Sequence, residues 1–109
     1  MNRVAVVTVG DELLNGSVVD TSTSWIGNSL REHGFELVYS ISVLDDEVAI
    51  SDAILIAVAR ADAVLISGGL GPTSDDLTRE GIARALRVDL VLDSGLLEII
   101  SNRYALRGI

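Results

Sequence analysis

Residues 63–86 run from a strand through a glycine loop to a helix start without a break, and this stretch limits what the rest of the chain can be. Ala63-Val64-Leu65-Ile66 is a short apolar run that feeds directly into Ser67-Gly68-Gly69-Leu70-Gly71-Pro72-Thr73-Ser74-Asp75-Asp76-Leu77-Thr78-Arg79-Glu80. Ile82, Ala83 and Leu86 then carry helical spacing. Three glycines in four positions let backbone N–H groups approach a ligand without Cβ hindrance. Pro72, the single proline, stiffens the turn. Hydroxyls and two carboxylates arrive just before the helix, where free N–H groups and the dipole favour an anion. The stretch reads in two ways. One is a phosphate cradle, with Ser67, Gly68, Gly69, Gly71, Thr73, Asp75 and Thr78 as candidate ligand-binding residues. The other is a tight strand–helix turn with Asp76 as its N-cap.

The chain before this stretch alternates in the same way. Arg3 to Val9 is nearly continuous in apolar and β-branched residues, which suits a strand buried on both faces of a parallel sheet. Residues 10–20 read as a long connection, with Leu13, Leu14, Val18 and Val19 filling a gap between layers. Asp20 or Thr21 caps a helix whose face holds Ile26, Ser29, Leu30 and His33, and Gly34 ends it. Phe35 to Val43 is a second strand. Asp45 is placed to cap a helix with Ile50, Ala53, Ile54, Ala57, Val58 and Ala61 on one face. Val88 to Asp93 is extended, and Leu96, Leu97, Ile100 and Tyr104 mark a last helix. Trp25 reads as a packing or subunit contact, and His33, the only histidine, as a solvated residue at a helix end.

This order predicts an α/β fold with a mostly parallel sheet and right-handed crossovers. Ligands bind such sheets beyond the carboxyl ends of the strands. Asp11 and Glu12 follow the first strand, Asp45 and Asp46 the second, and Asp75 and Asp76 the third. Three acidic clusters at one edge make it the candidate site, to which Gly10, at the end of the first strand, also belongs.

Composition excludes several classes. The net charge is −8 and the eight basic residues, all arginine, are scattered, so no nucleic-acid groove is expected. Without cysteine there is neither disulfide nor thiolate metal site, which agrees with a cytoplasmic location. Met1-Asn2-Arg3 leads straight into a strand, so no signal peptide is expected. The longest apolar run, Ala53 to Ala59, is far short of a membrane span.

An acidic edge and an anion cradle conflict unless something mediates between them. A carboxylate about 6 Å from a phosphate repels it by roughly 0.7 kcal/mol in water and about 3 kcal/mol at an effective dielectric of 20. A helix N-terminus returns only about 0.3–1 kcal/mol in the usual case. A divalent cation, Mg²⁺ or Mn²⁺, between carboxylates and a phosphoanhydride reconciles the two. So does a polar heterocycle whose N–H groups pair with the carboxylates while its phosphate takes the glycines.

Gly10-Asp11-Glu12-Leu13-Leu14-Asn15-Gly16, Asp20-Thr21, Val43-Leu44-Asp45-Asp46 and Gly68-Gly69-Leu70-Gly71-Pro72-Thr73-Ser74-Asp75-Asp76-Leu77-Thr78 together resemble the N-terminal domain of CinA (competence/damage-inducible) proteins. That domain is similar to the molybdopterin-binding domain of the MoaB, MogA and gephyrin type. The Gly-Gly-Leu-Gly-Pro-Thr-x-Asp-Asp form points to the CinA branch. The resemblance implies a three-layer α/β/α fold with a mixed sheet and a site at the ends of the first three strands. It implies acidic functional positions at Asp45 and Asp76, which would act in catalysis and hold the metal, and loop positions at Gly68, Gly69 and Gly71. For the CinA branch it implies metal-dependent hydrolysis of ADP-ribose-type nucleotide diphosphates. For the molybdenum cofactor relatives it implies binding of a pterin phosphate and its adenylylation with ATP and Mg²⁺. Ser22 stands where the family often has Asn, and Leu44 where it often has Gly. The family domain usually continues for about fifty residues more, so the resemblance implies a domain shortened at its C-terminus and an open sheet edge favouring a homo-oligomer. A non-catalytic oligomerising module is the remaining reading.

Overall fold

A computed structural model gives the architecture and describes residues 1–16 and 20–108. The elements, in chain order, are β1 (Arg3–Val9), α1 (Asp11–Leu14), α2 (Ser22–Glu32), β2 (Glu36–Val43), α3 (Glu47–Arg60), β3 (Ala63–Ser67), α4 (Thr78–Leu86) and α5 (Ser94–Leu106). The three strands form one parallel sheet in the order β2-β1-β3. Among the described residues every strand pairing is parallel, so the antiparallel part of a mixed sheet does not appear.

The β-branched run of β1 becomes the central strand, and Val4 through Val9 are all buried. Ala5, Val7 and Val9 face α3 and form the main core with Val43, Ile50, Ala53, Ile54 and Ala57. Val64 and Ile66 of β3 pack on the same core. The register of β1 against β2 shifts between Val4 and Ala5, which pair with Leu37 and Tyr39. The shift keeps Tyr39, Ile41 and Val43 on the α3 side, where they extend the core. The Arg60 guanidinium lies 4.4 Å from the centre of the Tyr39 ring and closes that end of the layer. On the opposite face Leu37 meets α2 at Gly27, and Leu65 of β3 shares a groove with Trp25, Ile26 and Leu30 of α2. The result is an α/β/α arrangement, with α3 and α4 on one face of the sheet and α2 on the other.

The structure corrects several expectations. Residues 11–14 form the short helix α1 inside the connection expected over 10–20, and Leu14 there is exposed. Val18 and Val19 lie outside the described residues. Asp46, not Asp45, caps α3, accepting from the Ala49 N–H at 2.9 Å. Val58 is half-exposed, because the face set by Ile50, Ala53, Ile54 and Ala57 turns it away, and Ala61 lies at the C-cap. On α4 the buried positions are Thr78, Gly81 and Ala83, while Leu86 is exposed. Gly34 ends α2 as expected, with its N–H on the Arg31 carbonyl and that of Phe35 on the Leu30 carbonyl. Among the described residues no helix is long and apolar enough to cross a membrane.

Gly81 is where α4 closes on α3. A Cβ built there would run into the fully buried Ile50 side chain and would lie 3.4 Å from the Glu47 carbonyl. Gly81→Ala should therefore lower stability by roughly 1–3 kcal/mol, as overpacking does. The check is the urea midpoint; an unchanged midpoint would mean that the α3–α4 contact is loose.

Candidate functional site at the carboxyl edge of the sheet

Parallel pairing aligns Thr8 of β1 with Ser42 of β2 and with Ser67 of β3. Three hydroxyl residues thus stand in one row at the carboxyl edge, where the chains leave the sheet. Thr8 is buried, and its Oγ1 lies 2.7 Å from Ser42 Oγ. Beyond the row, the Gly10 N–H donates to the Val43 carbonyl at 3.0 Å and carries the β1–β2 ladder into the loops.

The three acidic clusters meet in part. The Asp45 backbone N–H donates to Asp11 Oδ1 at 3.0 Å, and Asp45 Oδ1 accepts the Leu77 N–H at 2.9 Å. Leu77 is the N-cap residue of α4. Asp45 therefore satisfies a helix start distant in sequence instead of the one beside it. Glu12 folds back, with its carboxylate over the position a Gly10 Cβ would take. Asp46 is turned away to cap α3, and Asp75 is exposed.

The glycine loop is held from inside. Gly68 has φ +95, and a Cβ on it would collide with the Val9 carbonyl of the neighbouring strand. Gly69 has φ +63, and a Cβ there would strike Thr78 Oγ1 and stand 3.2 Å from Asp45 Oδ1. Thr78 is fully buried, and its hydroxyl donates to the Gly68 carbonyl at 2.7 Å, so it holds the loop. Asp76 does not cap α4. Its Oδ2 accepts from Thr73 N–H at 3.1 Å and Thr73 Oγ1 at 2.7 Å, and it lies against Gly71. The Thr73 hydroxyl, helped by the Thr73 and Gly71 N–H groups and by Arg79, holds the Asp76 carboxyl below the usual carboxylate range. Part of the anion cradle is thus filled by the chain's own carboxylate.

On the α2 side, Gly68 and Ser67 border an open depression of about 230 Å³ shared with Thr8, Glu12, Asp20 and Ser22. Asp20 accepts from the Thr23 hydroxyl at 2.6 Å and from the Thr23 N–H at 3.2 Å. That hydroxyl bond, with the Thr23 and Ser22 N–H groups, lowers the Asp20 carboxyl below its ordinary value. Sequence reasoning named Glu12, Ser67 and Gly68 here but missed Thr8, Asp20 and Ser22 as members of one surface. The signal for Thr8 was a polar residue in the otherwise apolar β1, whereas Asp20 and Ser22 lie at the start of α2 and only the fold brings them to this edge.

Among the described residues no three His, Cys, Asp or Glu side chains cluster closely enough to hold a metal ion. Asp45 and Asp76 flank the loop at Gly69 and Gly71 respectively. Such a pair does not make an all-protein cage. Their oxygens already accept hydrogen bonds, Asp45 Oδ1 from the Leu77 N–H and Asp76 Oδ2 from the Thr73 N–H and hydroxyl.

An α/β domain with a parallel sheet, a glycine loop and acidic residues at the carboxyl ends of its strands carries its candidate site where such sheets bind ligands. A family model described as "Probable molybdopterin binding domain" matches residues 5–107, and the chain belongs to that family. It is 48% identical over 105 residues to a CinA-like protein of Citrifermentans bemidjiense, covering 96% of this chain and 25% of that protein. The crystal structure of the protein CinA from Thermoplasma acidophilum superposes with a TM-score of 0.92 at 40% identity, over 95% of this chain and 62% of that one. The tungsten cofactor synthesizing protein MoaB from Pyrococcus furiosus gives a TM-score of 0.70 at 33% identity, over 77% of this chain and 52% of that one. The chain thus spans about a quarter of its CinA-like relative's length.

Asp76 gives the loop a pH dependence. Its lowered folded-state pKa means that the ionised form stabilises the loop above the unfolded value, about 3.9, and that this contribution disappears as pH falls through the folded one. Asp76→Asn should therefore be less stable than the parent near neutrality and converge with it under strongly acidic conditions. Urea midpoints across pH check this; a gap independent of pH would remove the charge from the explanation. Gly68→Ala should be more damaging than Gly81→Ala or Asp76→Asn, since the new methyl meets backbone, and a thermal melt would show it.

Proposed function

We propose that the carboxyl edge binds a phosphorylated heterocycle, its phosphate on the glycine loop and its ring toward the depression of Glu12, Asp20 and Ser67. The observation that carries this reading is the position of Gly68, which belongs both to the loop and to the wall of the depression. Phosphate donors and ring-facing carboxylates therefore share one surface. A pterin phosphate of the molybdopterin type suits it, because pterin N–H groups can donate to carboxylates and hydroxyls. The family match and the MoaB likeness support the same ligand class.

The finer reading is that this edge hydrolyses nucleotide diphosphates of the ADP-ribose type with a divalent cation. The placement of Asp45 and Asp76 on either side of the loop favours it. Those two carboxylates would hold Mg²⁺ or Mn²⁺ together with the substrate's phosphates, and the ion would neutralise charge on the phosphoanhydride. A water would add to one phosphorus, the bridging P–O bond would break, and a carboxylate would accept the water's proton. Asp11, which holds the Asp45 N–H, would fix the position of Asp45.

A thermal-shift series with a pterin phosphate, ADP-ribose, ATP and AMP, each with and without Mg²⁺ or Mn²⁺, separates these readings. A ligand at 100 times its Kd adds about 2.7 kcal/mol to the folded state. A metal-independent shift with the pterin phosphate supports binding; a shift with ADP-ribose only when metal is present supports hydrolysis. Asp76→Ala should then abolish metal-dependent turnover while the fold persists, and retained turnover would remove Asp76 from the chemistry. No shift with any ligand would defeat both readings.

A further inference from the structure

One residue tethers two successive peptide units of the glycine loop. Thr78 Oγ1 donates to the Gly68 carbonyl at 2.7 Å, and the Thr78 N–H donates to the Gly69 carbonyl at 3.2 Å. The peptide bonds of the described residues are all trans, so in each unit the N–H points opposite to the carbonyl. With both carbonyls drawn toward Thr78, the N–H groups of Gly69 and Leu70 point away from it. Thr78 is fully buried on the first turn of α4. Among the described residues neither of the two N–H groups donates to a protein acceptor.

Several neighbouring donors are already taken. The Leu77 N–H goes to Asp45 Oδ1 at 2.9 Å, the Asp76 N–H to the Thr73 carbonyl at 3.1 Å, and the Thr73 N–H and hydroxyl to Asp76 Oδ2. The Gly68–Gly69 unit has glycine on both sides, so no Cβ opposes its rotation. A flip of that unit would replace the N–H by a carbonyl oxygen and turn attraction for an anion into repulsion. The loop itself supplies no side chain to choose between the two orientations. The Thr78 hydroxyl makes the choice for the first unit and the Thr78 N–H for the second. Glycine at 69 is needed for the same reason, since a Cβ there would strike Thr78 Oγ1 and drive it from the Gly68 carbonyl.

We propose that Thr78 is a positioning residue that aims the Gly69 and Leu70 N–H groups at one phosphoryl group of the ligand. This rests on the reading that the glycine loop takes a phosphate. The Thr78 side chain has no exposed surface and does not touch the ligand itself, so its action is carried by the backbone it holds. N–H groups on successive residues form a concavity that suits an anion, and two of them can serve two oxygens of one phosphoryl group. A carbonyl left without its hydroxyl donor would be free to turn outward, and the site would lose a donor and gain an acceptor in one movement.

Amide NMR signals followed during titration with inorganic phosphate, against sodium chloride at matched ionic strength, test the proposal. The Gly69 and Leu70 signals should move most, and those of Leu77 and Thr78, whose N–H groups already have acceptors, should move little. Thr78→Val keeps the shape of the side chain and loses the hydroxyl. It should weaken phosphate binding about tenfold or more, the loss expected for a bond to a charged group, while the signals of β1 and α3 stay in place. Thr78→Ser keeps the hydroxyl and should bind phosphate nearly as the parent does, with the same two signals moving. The parent and Thr78→Ser titrations remain decisive even where Thr78→Val does not fold. Undiminished binding by Thr78→Val, or shifts centred away from Gly69 and Leu70, would overturn the role of Thr78 and leave the phosphate reading standing. Phosphate that moves no amide signal of the parent would overturn both.

Discussion

One carboxylate ties the carboxyl edge together. Asp45 follows β2, takes its backbone position from Asp11 after β1, and gives its Oδ1 to the Leu77 N–H at the start of α4. Three segments far apart in sequence are fixed relative to one another by two hydrogen bonds. A charged acceptor makes the stronger kind of bond, and a helix start left without an acceptor would carry an unsatisfied donor. The loop between β3 and α4 is therefore positioned at both ends. Gly68 is pressed against the Val9 carbonyl, and Leu77 is held by Asp45.

Between those ends the loop depends on Asp76. Its carboxylate takes the Thr73 N–H and hydroxyl, donors that an anionic ligand would otherwise meet. An internal anion keeps the loop ordered without a ligand, which lowers the ordering cost when one binds. It also places a negative charge beside any incoming phosphate. A ligand can answer that charge with its own N–H donors or through a cation, and these are the two routes that the proposed functions take.

Much of this was legible in the sequence, for identifiable reasons. The β-branched run of β1 could only be a doubly buried strand, and the period of Ile50, Ala53, Ile54 and Ala57 matched the face α3 buries. The Gly-rich stretch was readable because φ values of +95 and +63 at Gly68 and Gly69 need glycine. What was not legible were choices between near-equivalent neighbours. Asp45 and Asp46 are adjacent and equally able to cap, and only the position of α4 decides that Asp46 caps α3 while Asp45 reaches Leu77. Asp76 was similarly ambiguous, since an Asp before a helix can cap the helix or its own turn. Val58 and Leu86 fit the i, i+3, i+4 spacing yet stayed exposed, because each falls at the margin of its helix's buried face and spacing does not say how wide that face is. The hydroxyl row of Thr8, Ser42 and Ser67 needed the strand register, which no local pattern supplies.

The two faces of the sheet differ in how firmly they hold the site. The α3 face carries the buried core, and Ile50 and Ala57 are fully enclosed. The α2 face carries no buried helix residue, yet the start of α2 contributes Asp20, Thr21 and Ser22 to the depression. The phosphate half of the proposed site therefore rests on rigid packing, and the ring half on a helix that packing alone fixes less firmly.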